Sequence, residues 1–336
     1  MASKFDAELL FFCSENARLR LKDLAHILKK TPQRVKYNLA QLEKNTIIYS
    51  PHTIFDYSFL GQLLFKVYFK GGYTSEKNKK EILGNLCTNP YIVSVYELSG
   101  EFDLAVDMLS SNPSRFNKEL KKVIAENPNL NSYKIALNVV THLYPRYYLL
   151  LQKARLLDDL NSLNKIDSGI IVGGDRAVDF FTTGDMAVMS QLLQSPRIPL
   201  NSLAEKVQLN TKTVVKIMKN LRSRTIIRGY HYLIDTNALG IEKHRLFLKL
   251  HNLSVEKENE LFEYFRKTAE IVQINKTVGD WDLEIDVEAL EKNKIRYIIM
   301  QLRENFADLI ENFRSMEFYQ YYKKNFLPEY LFNKES

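Results

Sequence analysis

Two short stretches of this chain carry the same punctuation. SGEFDLAVD runs from Ser99 to Asp107, and VGDWDLEID runs from Val278 to Asp286. The glycine and the central aspartate of the first recur 179 positions later in the second. Other landmarks keep that offset: Leu24-Ala25 and Leu203-Ala204, Thr46-Ile47-Ile48 and Thr225-Ile226-Ile227, Asp56 and Asp235, Leu60-Gly61 and Leu239-Gly240. A colinear set spanning about 80 residues without net insertion marks a tandem duplication of a unit of roughly 140 to 150 residues. Whatever fold one copy adopts, the other must adopt nearly the same.

The 336 residues suffice for two or more domains with cores. At 45% hydrophobic and 26% charged, the composition is that of an ordinary globular protein. No apolar run approaches the roughly 20 residues of a membrane span, and the N-terminus does not read as a signal peptide, so no membrane association is expected. With only Cys13 and Cys87, a disulfide scaffold or cysteine zinc site is not expected, and a reducing cytoplasmic location is. The six histidines lack metal-ligand spacing, so neither metal nor cofactor is expected, and no catalytic set stands out. The net charge of +7 is unevenly placed. Residues 1–60 hold nine Lys/Arg against six Asp/Glu, residues 185–240 eight against three, and residues 241–322 twelve against sixteen. Two basic segments beside an acidic one suggest that only part of each copy meets a polyanion.

The front of each copy reads as three helices. In the first, Phe5, Leu9, Phe12 and Cys13 share a face, and a second helix covers Leu21 to Leu28. A third follows the N-cap Thr31, with Pro32 in its first position and the stripe Val35, Leu39, Leu42. Its outer face carries Gln33, Arg34, Lys36 and Tyr37. The second copy repeats this with N-cap Asn210, the stripe Val214, Met218, Leu221, and Lys212, Thr213, Lys216 and Lys219 outside or flanking. Two short helices joined by a tight turn, the second apolar inside and basic outside, describe a helix-turn-helix, whose second helix enters the major groove of double-stranded DNA. The plainer alternative is a helical packing module with a solvated basic face. HTIFDYSFLG and HYLIDTNALG then read as a β-hairpin wing leading into a glycine turn.

The back of each copy alternates strands and helices. The first copy reads as strand 63–70, helix 76–87, strand 92–98, strand 102–109, helix 116–124 and strand 133–143. The second reads as 244–250, 256–267, 271–277, 281–287, 295–303 and 313–321. The order βαββαβ is a ferredoxin-like unit, with one sheet face left bare for a partner, most simply the other copy. The fold class is therefore α+β: two tandem copies of a winged-type helix-turn-helix followed by a ferredoxin-like domain. The boundaries fall at 1–60 and 61–143, then 185–240 and 241–325, with a tail at 326–336. Residues 144–184 are a linker, with a helix from Pro145 to Leu163 and then a connector containing Gly169, Gly173 and Gly174.

In the repeated hairpin the glycine permits a tight turn, and the aspartate after the aromatic residue is placed to hydrogen-bond back to turn N–H groups. Strict alternation then puts Asp280, Asp282, Glu284 and Asp286 on one face and Trp281, Leu283, Ile285 and Val287 on the other. The first copy has Glu101, Asp103 and Asp107, with Ala105 interrupting the row. Such a row is costly unless wet or paired, and an ammonium group is a suitable partner.

This ordered set resembles the leucine-responsive regulator/AsnC (Lrp/AsnC) family of bacterial and archaeal transcription regulators. The residues that carry the resemblance are SENAR, LKDLA, TPQRV, QLEKNTII and YELSGEFDL in the first copy, and RIPLNSLA, NTKTV, TIIRGY, LIDTNALG and VGDWDL in the second. It implies sheet-against-sheet dimers that self-associate further, DNA read by paired helix-turn-helix modules, and amino-acid-like effectors near the Gly-x-x-Asp hairpin. Carried over by position, the effector loops are Gly100, Glu101 and Asp103, and Gly279, Asp280 and Asp282. Family members usually carry one unit per chain; two suggest a chain that imitates a dimer. Where the family often has Ser/Thr-x-x-Arg-Arg, this chain has Lys36-Tyr37-Asn38 and Val215-Lys216-Ile217. Two alternatives are carried beside the regulator. Siroheme decarboxylases resemble this family in fold, and Tyr144, Arg146, Tyr147 and Tyr148 are the conceivable substrate-binding groups. The other is an effector-sensing interaction module that no longer binds DNA.

Overall fold

The computed structural model describes residues 6–150 and 169–333. The first three helices are α1 (Ala7–Glu15), α2 (Leu21–Ile27) and α3 (Pro32–Lys44). Asp6 and Thr31 cap α1 and α3, accepting the N–H groups of Leu9 and Arg34 at 3.3 Å. The second copy opens with α6 (Thr183–Gln194), α7 (Leu200–Lys206) and α8 (Thr211–Ser223). Thr182 and Asp185 form a reciprocal capping box on α6, and Asn210 accepts Thr213 N–H at 2.7 Å on α8. The turn before α3 passes through left-handed Lys29 (φ 50°), and its counterpart before α8 through Gln208 (φ 55°). Leu9 to Cys13 of α1 are all buried, so this helix is wrapped on every side rather than on one face.

Among the described residues no hairpin wing forms within either copy. Strand β1 (Ile48–Phe55) pairs antiparallel with β7 (Ile227–Ile234), the equivalent strand of the other copy, with Ile48 opposite Ile234 and His52 opposite His231. The reason is local. Asp56 and Asp235 each cap a single helical turn, closed by Gly61 at φ 65° and Gly240 at φ 70°. The chain turns away before it can fold back, and the lone strand finds its hydrogen-bond partner in the other copy. The helical cores cross over too. Leu9, Leu24 and Val35 share a cluster with Tyr232, Ile234 and Leu239, whereas Val188, Leu203 and Val214 share one with Ile54, Phe55 and Tyr57.

The back of the first copy comprises β2 (Leu63–Phe69), α4 (Glu76–Thr88), β3 (Ile92–Ser99), β4 (Leu104–Ser110), α5 (Pro113–Glu126) and β5 (Tyr133–Leu143). The second comprises β8 (Glu242–Leu250), α9 (Val255–Lys267), β9 (Ile271–Val278), β10 (Leu283–Ala289), α10 (Lys292–Asn305) and β11 (Ile310–Lys324). The two four-stranded sheets join edge to edge. β11 pairs with β8 along its first half and with β3 along its second; β5 pairs likewise with β2 and β9. Eight strands thus close on themselves, with the helices packed outside over separate apolar clusters. The faces expected to be bare line the shared interior.

The glycine-rich connector is more ordered in outline than expected. It holds a ninth strand, β6 (Ile170–Gly173), paired with β5, and Gly173 N–H donates to the Asp56 carboxylate at 2.9 Å. The expected linker helix begins as a short turn at Tyr147–Leu150; the remainder lies outside the described residues.

Candidate nucleic-acid interface and effector hairpins

On α3 the residues Thr31, Gln33, Arg34, Lys36 and Tyr37 are exposed, with Tyr37 at 64%. Val35, Leu39 and Leu42 hold the opposite side in the core. On α8, Asn210, Lys212, Lys216 and Lys219 are exposed and Thr213 is half-buried, over buried Val214 and Leu221. Among the described residues Lys36, Lys212, Lys216 and Lys219 have no carboxylate partner, so each helix presents uncompensated positive charge to solvent. Val215 and Ile217, half-buried, stand where α3 carries Lys36 and Asn38, so the middle turn of α8 offers fewer hydrogen-bonding side chains than that of α3.

The two hairpins meet at the end of the barrel reached by β3 and β9. Lys134 lies 2.6 Å from Asp280 and 3.7 Å from Glu101, and Glu101 also pairs with Lys70 (2.7 Å) and Arg314. These three cations hold the Glu101 carboxyl below the usual carboxylate range against some burial. Gly100 sits at φ 142°, with Met316 against its α-carbon, and a side chain at Gly279 would strike the backbone of Ile135 and Ala136. The aspartates do not bond back to their own turns. Asp103 accepts Gly71 N–H at 2.6 Å, and Asp282 accepts Leu250 N–H at 2.7 Å and Lys249 at 3.1 Å. Each caps the end of the neighbouring strand, beside which it is held by its own N–H donating to the Phe69 or Leu248 carbonyl.

The acidic row is also not laid out as strict alternation predicts. Trp281 belongs to the turn, before strand geometry begins at Leu283, and its ring enters the interior on the side of Glu284. Glu284, Asp286 and Glu288 are fully buried inside the barrel, not held for an ammonium ligand. Arg245 clasps Asp286 through two hydrogen bonds at 2.6 and 2.8 Å. Glu284 accepts Tyr68 Oη (2.7 Å), Trp281 Nε1 (3.0 Å) and Asn275 Nδ2 (3.0 Å), with Lys66 at 3.3 Å. Lys66 pairs with Asp107 at 3.1 Å, and these neighbouring cations hold both Asp107 and Asp286 below the ordinary range although burial opposes it. Lys66–Asp107 and Arg245–Asp286 are the same pair, 179 positions apart. That repeat of a cation and an acid inside otherwise apolar strands is visible in the sequence. Its meaning is not, because the two pairs lie beside each other only when the sheets close.

Beneath the β1–β7 ribbon, His52 and His231 lie with ring centroids 6.2 Å apart. His52 Nδ1 donates to the Ser50 carbonyl at 3.1 Å. Burial pushes both imidazoles down to about 3. Nearby, Arg146 is held between Glu15 (3.0 Å) and Glu288 (2.9 Å), and the Tyr148 hydroxyl donates to Glu288 at 2.9 Å. Among the described residues no cluster of three or more histidine, cysteine, aspartate or glutamate side chains is arranged to hold a metal ion. None of the described helices is long and apolar enough to cross a membrane.

A scan against protein-family models returned no match. Curated proteins do match. The HTH-type transcriptional regulator FL11 of Pyrococcus horikoshii is 24% identical over 133 residues, 40% of this chain and 82% of that protein. An uncharacterized HTH-type transcriptional regulator of the same organism is 30% identical over 106 residues, 32% of this chain and 70% of that protein. Among solved structures, siroheme decarboxylase NirDL matches with a TM-score of 0.58 at 11% identity, covering 96% of this chain and 93% of that one. At that identity the likeness is one of fold. The sequence matches, together with the helix-turn-helix elements and the effector-type sheet, show that this chain belongs to the Lrp/AsnC family of helix-turn-helix transcriptional regulators.

Proposed function

We propose that one chain acts as a pseudodimer that reads duplex DNA with two helix-turn-helix modules, at residues 1–60 and 185–240, carried on ferredoxin-like halves at 61–143 and 241–325. The observation that carries this reading is the interlocking of the copies. Each helical core includes residues of the other copy, and β1 pairs with β7, so one chain supplies the arrangement that two single-unit chains would otherwise build. Thr31, Gln33, Arg34, Lys36 and Tyr37 contact one half-site; Asn210, Lys212, Thr213, Lys216 and Lys219 contact the other. Because the two sets differ, the half-sites differ, and their centres lie about one helical turn or a multiple apart. Binding is dominated by phosphate neutralisation and weakens steeply with salt. The test is a salt-titrated binding assay on the chain's own upstream DNA, with footprinting and light scattering. One chain protecting two unlike half-sites supports the reading. A perfect palindrome read equally by both halves refutes it, and absence of salt-dependent binding favours the sensing module that has lost DNA binding.

An amino-acid-like effector binds at the joined hairpins, where Lys134 lies between Glu101 and Asp280. Trp281 packs on Phe102 and Phe247 (centroids 6.1 and 4.7 Å), so effector binding there changes its fluorescence. Unchanged emission at amino-acid concentrations that alter DNA binding refutes this site.

The whole-chain likeness to NirDL favours one second reading, a siroheme-decarboxylase-like enzyme. Against it, Arg146 and Tyr148 are already engaged by Glu15 and Glu288 and are not free for substrate carboxylates. A purified protein with no Soret-type absorbance, which also leaves the Soret band of an added iron tetrapyrrole unshifted, closes it.

A further inference from the structure

Two clefts flank the β1–β7 ribbon and are built from equivalent positions. The first, of about 270 Å³, opens where the end of α1, strand β7 and the last turns of α8 converge. In the second, of about 750 Å³, Glu15, Asn16 and Arg18 are replaced by Gln194, Ser195 and Arg197, and Gly229 and Tyr230 by Ser50 and Pro51. Their electrostatics diverge. Beside the second cleft, Glu43 lies 2.6 Å from Arg197 and also accepts the Tyr232 hydroxyl at 2.6 Å, so that arginine is neutralised. The position equivalent to Glu43 at the first cleft is Arg222. Arg222 and Lys219 both line this cleft, and among the described residues neither has a carboxylate partner. They stand three residues apart on α8, so they share one surface of the helix. Arg18 is anchored to the carbonyls of Pro196 (2.6 Å) and Ile198 (3.1 Å) and lies over the Tyr230 ring. Glu15, the acid of the lining, is already matched by Arg146 at 3.0 Å. Leu143, Ile170 and Met218 supply an apolar wall.

We propose that the first cleft is a binding site for a small organic carboxylate with a compact apolar body. Its carboxylate lies between Lys219 and Arg222, and its body lies against Leu143, Ile170 and Met218. A volume of 270 Å³ is slightly below the roughly 300 Å³ at which small-molecule pockets begin, so the ligand is smaller than a drug-sized molecule. Beside the second cleft Ala40 and Glu43 stand in place of Lys219 and Arg222, and of its lysines Lys323 is paired with Glu329 at 3.1 Å, so it lacks the cation pair that would hold the same ligand. The site stands whether or not α8 reads DNA.

The test titrates phenylacetate and 4-methylpentanoate into the full chain, with phenylacetamide and inorganic phosphate as comparisons. Calorimetry gives affinity and stoichiometry, and the methyl NMR signal of Met218 reports the location. The expected result is one saturable site per chain for the carboxylates, a shift of the Met218 methyl, and binding about tenfold or more weaker for the neutral amide. R222E, which installs the acid of the other copy on an exposed position, reduces carboxylate affinity by about tenfold or more. If that variant melts early, K219M provides the same measurement. The proposal is overturned if neither carboxylate saturates, if both variants bind as the parent does, or if phosphate binds as tightly as the carboxylates. The last result would mean that the apolar wall contributes nothing and that the cations form a simple anion contact.

Discussion

Acidification offers a direct measurement of the seam between the two copies. His52 and His231 face each other across the ribbon, and burial lowers both from an ordinary 6.5 to about 3, with His231 adding repulsion at His52. A folded-state value below the unfolded one means that the unfolded chain binds more protons between those limits. Stability is therefore complete above about 6.5 and falls as pH drops toward 3. At 1.36 kcal/mol per pKa unit, going from about pH 7 to about pH 5 costs roughly 2 kcal/mol per histidine, on the order of 4 kcal/mol for the pair. Asp107, Asp286 and Glu288 contribute little in this window, because their ordinary values of 3.8, 3.8 and 4.5 already lie below it and the fold lowers them further, that of Glu288 to about 2. Glu15 works in the opposite direction. Burial raises it, so it takes up a proton in the folded protein and offsets part of the loss. The assay is urea unfolding at both pH values, followed by Trp281 fluorescence, for the parent chain and the H52Q/H231Q variant. The parent should lose several kcal/mol between them and the variant much less. Equal losses in the two proteins, or no loss in the parent, would refute the argument that the buried neutral pair causes the dependence.

Other perturbations read other parts of the molecule. Arg245→Met leaves Asp286 buried without its bidentate partner and should cost about 3–5 kcal/mol in chemical unfolding, whereas R245M/D286L should recover most of that loss. Asp282→Ala strands the part-buried Leu250 N–H at the end of β8 and should cost about 1–3 kcal/mol in thermal unfolding, whereas Asp103→Ala, which releases the exposed Gly71 N–H to water, should cost less. Under the DNA-binding reading, Lys36→Ala and Lys216→Ala should each weaken binding across sequences and flatten the salt dependence by about one unit of slope. Unchanged slopes would remove those residues from the phosphate contacts.

Much of the outline is legible in the amino-acid sequence. The 179-residue offset marks two equivalent copies, and Thr31 and Asn210 stand at helix starts because their short side chains satisfy free N–H groups there. Apolar spacing places α3 and α8 with one stripe inward, and the strand–helix order of both back halves follows the sequence within a few residues. These features are local: each depends on residues within a turn or two of one another. The tertiary structure decides who pairs with whom. β1 has no partner in its own copy and takes β7; the two sheets close on each other; Trp281 turns inward across the end of a turn where alternation no longer applies. The buried acids show the limit most clearly. Their period fixes a face but not what covers it, and the cations that balance Glu284 come from Lys66, 218 positions away, and Arg245. Hydrogen bonds and charges are satisfied by proximity in space, and between two copies of one unit that proximity exists only after the chain has closed on itself.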